Sequence, residues 1–298
     1  MSVATAIAFE PDAVWIGTGE GTLVRVAAKS IWAMRACPHG AVGALAVSDD
    51  GTSLLVADVI GTVSILKTTD GSVLDSFSCP SPVRQGRILS PRTYVTVDNE
   101  RRGFLWMANG EGPVSPAPIC KDATTPVRFD RFGASGTSLT LLAALRWMSW
   151  DLATNHVVAE HRPIDGMQLV YIDGLVGLSA SGGHYFIHWD DYLVLSTESE
   201  KIIHEGSVVH RAWSAALSDT GRRLAVGTRN GELVVIDDGQ TRTLALQPSL
   251  HAICDVVWQG DGRRIGWIDV NGGFGVVDAT TGRQIIDRAQ GAVLLGQG

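Results

Sequence analysis

The sequence is short of cysteine, with only Cys37, Cys79, Cys120 and Cys254 in 298 residues. So few thiols do not make a disulfide framework, and they fit a reducing, cytoplasmic compartment where cysteine stays free. The N-terminal stretch MSVATAIAFEPD lacks both a basic segment and a long apolar one, so no secretory leader is expected. No run approaches 18 uninterrupted apolar residues, and no membrane span is expected. Charge is also scarce: 18% of residues are charged and the net charge is −7. An acidic surface of this kind is a poor partner for nucleic acid. Hydrophobic residues make up 45% of the chain, which is enough for a sizeable core and too much for a disordered one.

Signatures of chemistry are missing too. Gly17-Thr18-Gly19-Glu20-Gly21 is glycine-rich, but no Gly-Lys-Ser/Thr follows it, so it reads as a turn and not a phosphate cradle. There is no G-x-S-x-G elbow for a nucleophilic serine. His184 and His188 are four residues apart, a spacing that suits a metal on a helix. On a strand it separates them by roughly 13 Å, which argues against zinc. Cys37, Cys79 and Cys120 recur at a regular interval but belong to successive repeats, so small buried residues explain them better than a redox site. Asp58, Asp98, Asp255 and Asp269 read as turn carboxylates. No catalytic residue, metal or cofactor is expected.

What the sequence does have is short apolar runs of five to seven residues, punctuated by Gly, Asp and Ser, which read as β-strands. One turn recurs after a strand: SDDGT (48–52), SPRTY (90–94), GASGT (133–137), SASGG (179–183), SDTGR (218–222) and QGDGR (259–263). A second landmark is a glycine opening the next strand, at Gly21, Gly61, Gly103, Gly231 and Gly272. A third is a turn before the last strand, as at Asp70-Gly71 and Asp238-Gly239. Three turns in phase define a four-stranded unit of about 40 residues, the period of a propeller blade. The expected fold is therefore all-β: a seven-bladed β-propeller of four-stranded antiparallel blades, forming one domain over 1–298. The blades fall at 1–39, 40–81, 82–122, 123–164, 165–207, 208–249 and 250–291, with a tail at 292–298 that could add to an edge. The last outer strand is expected over Gln284–Ala289.

The stretch VGALAVSDDGTSLLVADVIGTVSIL (42–66) resembles the WD40 repeat, and so does AALSDTGRRLAVGTRNGELVVID (215–237). The resemblance extends over essentially the whole chain, but its hallmarks are degenerate. The Trp-Asp dipeptide survives as Trp150-Asp151, and Pro38-His39-Gly40 is the nearest remnant of Gly-His. The polar staple of ordinary WD40 blades is expected to be mostly missing, leaving apolar packing between sheets to hold the blades.

The resemblance implies a docking face formed by the loops before the first strand and between the second and third strands. Blades 1 and 2 place Thr5, Glu20, Gly43 and Val59 there, and blade 7 places Asp255 and Asn271. The intervening blades contribute Arg84, Arg101, Arg102, Arg128, Arg146, Arg211, Trp213 and Arg229. Arginine forks suit carboxylate and phosphate, and Arg and Trp are enriched at interface hot spots. The expected function is a non-enzymatic scaffold or adaptor that binds other proteins, docking an acidic or phosphorylated segment. Local pairing of these arginines with Asp98, Glu100 and Asp130 is the plainer reading. A propeller hydrolase with a channel site and a small-ligand or carbohydrate binder are the alternatives.

Overall fold

The computed structural model describes residues 2–100, 102–108, 114–118, 131–135, 138–143, 146–151, 156–161, 175–178, 183–188, 191–196, 202–207, 211–244 and 251–296. Each window read from the turns holds one four-stranded antiparallel sheet with its strands in chain order. Blade 1 is β1 (Ala4–Phe9), β2 (Ala13–Thr18), β3 (Thr22–Ala27) and β4 (Ser30–Arg35). Blade 2 is β5 (Val42–Val47), β6 (Ser53–Asp58), β7 (Thr62–Lys67) and β8 (Val73–Ser78). Blade 3 is β9 (Val83–Ser90), β10 (Thr93–Asp98), β11 (Gly103–Ala108) and β12 (Val114–Pro118). Blade 4 is β13 (Arg131–Ser135), β14 (Ser138–Ala143), β15 (Arg146–Asp151) and β16 (His156–His161). Blade 5 is β17 (Leu175–Leu178), β18 (Gly183–His188), β19 (Asp191–Ser196) and β20 (Ile202–Ser207). Blade 6 is β21 (Ala212–Leu217), β22 (Arg223–Thr228), β23 (Leu233–Asp237) and β24 (Gln240–Leu244). Blade 7 is β25 (Ile253–Trp258), β26 (Arg264–Asp269), β27 (Phe274–Asp278) and β28 (Gln284–Ile286), followed by helix α1 (Arg288–Gly296). The chain divides into two compact units, Met1–Phe129 with Ala292–Gly298, and Asp130–Gly291.

Burial grades across the sheets of blades 1, 2 and 6, and the sequence explains the gradient. The second strands β2, β6, β10, β22 and β26 are buried almost end to end. Each is sandwiched on both faces, so it reads as a continuous apolar run and not an alternating one. The outermost strands β4, β8 and β24 are mostly exposed. The core therefore lies between sheets. In the first unit, one cluster joins Trp15 and Leu23 of blade 1 to Val42, Leu54 and Leu66 of blade 2. Another joins Leu55, Ile65 and Phe77 of blade 2 to Tyr94 and Trp106 of blade 3, with Phe77 stacked on Trp106 at 4.2 Å. In the second unit, Tyr192 and Val194 of blade 5 pack against Leu224 and Ile236 of blade 6. Ala225 and Val235 of blade 6 pack against Ile253 and Trp267 of blade 7.

Polar bonds supplement this apolar packing. Buried Glu10 accepts hydrogen bonds from Trp15 Nε1 and from Arg25 Nε and Nη2, tying three strands of blade 1. Between blades 2 and 3, Tyr94 Oη donates to Asp75 at 2.8 Å, and Arg87 pairs with Asp49 at 3.0 Å. Between blades 6 and 7, Trp258 Nε1 donates to Ala216 O at 2.9 Å, and Ser214 Oγ donates to Ile253 O at 2.8 Å. Of the WD40 staple, blade 3 keeps the bond from Trp106 Nε1 to Thr96 Oγ1 at 2.8 Å.

The end of the chain also differs from expectation. The last strand stops at Ile286, and the segment beyond it is a helix instead of an added edge. Asp287 Oδ1 accepts from Gln290 N, and Gln290 Oε1 accepts from Asp287 N. This is a reciprocal capping box that satisfies donors a helix start leaves open. His184 and His188 lie on strand β18, as the metal argument required. Cys120 lies outside the described residues.

Candidate functional site

The rim that carries the candidate residues is built from one motif, seen in blades 1, 2, 3, 6 and 7. The last residue of the second strand is a buried Thr or Asp: Thr18, Asp58, Asp98, Thr228 and Asp269. Its side-chain oxygen accepts from the backbone amide four residues on, at Thr22, Thr62, Arg102, Glu232 and Gly273. This capping closes the turn between the second and third strands from inside, so the carboxylates are engaged structurally. In four of the five blades a glycine precedes the amide donor. A Cβ on Gly21, at φ +81°, would collide with the carbonyl oxygens of Cys37 and Gly40.

The residue after the cap then ties the rim to the first strand. Gly19, Val59, Asn99, Arg229 and Val270 donate their amides to the carbonyls of Val3, Ala41, Pro82, Arg211 and Ala252. Opposite the cap, the first strand carries one extra residue, a β-bulge. The pairing steps from residue 4 to 6, 42 to 44, 83 to 85, 212 to 214 and 253 to 255 against a single step on the neighbouring strand. The bulged residues are Thr5, Gly43, Arg84, Trp213 and Cys254, and all five are exposed. A bulge re-aims the side chain it carries. Here it turns a residue out of the innermost strand toward solvent.

The sequence-derived candidates fall on this motif unevenly. Arg84 and Trp213 occupy bulges. Arg229 follows a cap, and Arg211 provides the carbonyl tie at φ +40°. The Arg229 guanidinium lies over the Trp213 indole, 4.5 Å from the ring centroid, and Trp213 is 41% exposed. Arg102 is committed locally: it pairs with Asp98 at 2.7 Å and with Glu100 at 3.0 Å, and its guanidinium pKa is raised by the hydrogen bond to Asp98. Arg146 is the first residue of β15. Arg101 and Arg128 lie outside the described residues. For blade 7 the sequence pointed to Asp255, but the bulge exposes its neighbour Cys254. A bulge adds a residue that no repeat spacing reveals, which is why the phase slips by one.

The two other described thiols behind the rim are inert. Burial pushes the Cys37 thiol up to about 11, with the charge of Asp58 adding to the shift. Cys79 is pushed up to about 11, first by burial, while a contact with Thr96 opposes it. Among the described residues, no three His, Cys, Asp or Glu side chains group as a metal site. Also among them, no helix is long and apolar enough to cross a membrane.

No known family profile matches the sequence. No curated protein is similar to it in sequence. Among solved structures, the chain is similar to the β-propeller domain of Cps50 (Swd1) from Myceliophteria thermophila. The two share 16% identity over 93% of this chain and 96% of that one, with a TM-score of 0.73. At that identity the likeness is one of fold, and the fold of this chain is that of a β-propeller.

Proposed function

We propose that the chain, as one propeller over 1–298, is a non-enzymatic scaffold of the cytoplasm. It docks an acidic or phosphorylated segment of a partner protein on its arginine-bearing rim. The observation that carries this reading is the Trp213–Arg229 pair. The bulge in β21 turns a large aromatic out to solvent, and the guanidinium of the exposed Arg229 lies over it, 4.5 Å from the ring centroid. A guanidinium braced on an indole loses less freedom on binding a carboxylate or phosphate bidentately. Arg84 offers a second exposed arginine at the equivalent place in blade 3. Arg102, held by two carboxylates, shapes its turn more than it recognises a partner. Propellers commonly present binding loops on a rigid frame, and the likeness to a solved propeller domain supports that use of the fold.

The test is binding of fluorescein-labelled phosphoserine, polyglutamate and uncharged peptides, read by anisotropy, together with capture of partners from the native organism. Wild type is compared with Arg229→Glu, Trp213→Ala, and a variant with Arg101, Arg128 and Arg229 all changed to Glu. Loss of at least tenfold in affinity for the anionic peptides on Arg229→Glu is the expected result. Undiminished binding and an unchanged set of captured partners in the triple variant would refute the reading.

A further inference from the structure

The three Asp-capped turns of the rim differ in one respect. Each Asp uses Oδ1 to close its turn, which leaves Oδ2 as a second, buried anionic oxygen. In blade 3 that oxygen is held by Arg102, through Nε at 2.8 Å and Nη2 at 2.7 Å. In blade 7 it is held by Arg288 Nε at 2.7 Å. The two arginines reach it through the same opening. Arg102 is itself the residue four beyond its Asp. In blade 7 that position is Gly273, and Arg288 Nε lies 2.5 Å from where a Cβ on Gly273 would be, filling the space a side chain would take. The Thr-capped blades 1 and 6 have no second oxygen and place Thr22 and Glu232 at that position, so the cation accompanies the carboxylate.

Blade 2 breaks the rule. Asp58 is 1% exposed, its Oδ1 accepts from Ile60 N and Thr62 N, and its Oδ2 has no hydrogen-bond partner. The position four beyond is Thr62, half-buried and too short to supply a charge. A buried carboxylate oxygen without a donor is costly to maintain. The bulged residue is Gly43, with no side chain at all, and the turn exposes Val59 (43%) and Ile60 (57%). Cys37, the nearby thiol, is close enough for the Asp58 charge to act on it but makes no hydrogen bond to it.

We propose that Asp58 is a socket for an arginine supplied by a partner protein, which reaches Oδ2 past the Thr62 side chain, from the position that Arg102 occupies in blade 3, with Val59 and Ile60 receiving the apolar residues next to it. The site lies in the other unit from Trp213 and Arg229 and calls for the opposite charge, so it stands or falls independently of the anion-docking reading.

The probe is Nα-acetyl-L-arginine amide, titrated into the full chain with Ile60 and Val59 methyl groups observed by NMR. The uncharged isostere Nα-acetyl-citrulline amide is the control. Saturable shifts with the arginine amide, at least tenfold weaker with citrulline, are expected. Asp58→Asn keeps the Oδ1 acceptor that closes the turn and is expected to abolish the response. Thr62→Arg supplies the cation from within, as in blade 3, and is expected to abolish the response while raising Tm. Equal binding of the two amides, no saturable binding, or an unchanged response in the folded Thr62→Arg variant would overturn the proposal. The last arm keeps the test decisive even if Asp58→Asn does not fold.

Discussion

Asp269 offers the sharpest test of how the rim is held. Its Oδ1 accepts from Asn271 N and Gly273 N, both at 2.9 Å, and its Oδ2 accepts from Arg288 Nε at 2.7 Å. Hydrogen bonds to a charged group are worth about 1.5–3 kcal/mol each when buried. Arg288 is 40% exposed and regains water when its partner is removed, so its share belongs at the low end. The two amides lie in a turn and regain water only in part. Asp269→Ala should therefore cost about 3–4 kcal/mol, a loss of roughly 6–16 °C in Tm at the 2–4 °C per kcal/mol typical of larger domains. Asp269→Thr is the informative comparison, because Thr18 and Thr228 close the same turn with a hydroxyl at 3.0 Å. It should keep the bond to Gly273 and recover about 1 kcal/mol of the loss. Arg288→Ala, which leaves the cap intact but orphans Oδ2, should fall between wild type and Asp269→Ala. Differential scanning calorimetry of the three variants gives the order directly. If Asp269→Thr melts with Asp269→Ala, or Arg288→Ala melts below both, the turn is not held by the cap and the reasoning fails.

Two more predictions test other parts of the structure. With their thiols near 11, Cys37 and Cys79 are only about 0.1% thiolate at pH 8, so iodoacetamide should label them at least a hundredfold more slowly in the native protein than in urea, by mass spectrometry. Asp278 is held below its ordinary 3.8, first by the amide of Thr281 and then by its hydroxyl. A carboxylate depressed in the folded state stabilises above its unfolded pKa, and the contribution is lost as pH falls through the folded value. Asp278→Asn should therefore lower Tm at pH 7, by a deficit that shrinks progressively as pH falls below 3.8; a Tm deficit that does not shrink on acidification would count against it.

The blade pattern was legible in the sequence because it rests on local chemistry. Left-handed glycines such as Gly61 and Gly231 mark the turns, and doubly buried strands such as Leu54–Asp58 read as apolar runs. The exposed tryptophan and arginines of blade 6 could be placed on the rim by counting from those turns. Other features were not read. The Glu10–Trp15–Arg25 network depends on three strands meeting, and no spacing announces it. The bulges add a residue where the repeat is silent, which is how Asp255 stood in for Cys254. Helix α1 was mistaken for strand and tail, although Asp287 and Gln290 at capping-box spacing were there to be read. The orphan oxygen of Asp58 is visible only by comparing three turns in space.

The recurring bulge has a consequence for how freely this molecule can be rewritten. At one structural position the chain accommodates threonine, glycine, arginine, tryptophan and cysteine, with a Thr or Asp cap, the same amide tie and the same register around each. The frame is therefore indifferent to what stands there. A library randomised only at Thr5, Gly43, Arg84, Trp213 and Cys254 should yield mostly folded proteins that differ in what they hold, which makes this propeller a ready chassis for engineered recognition.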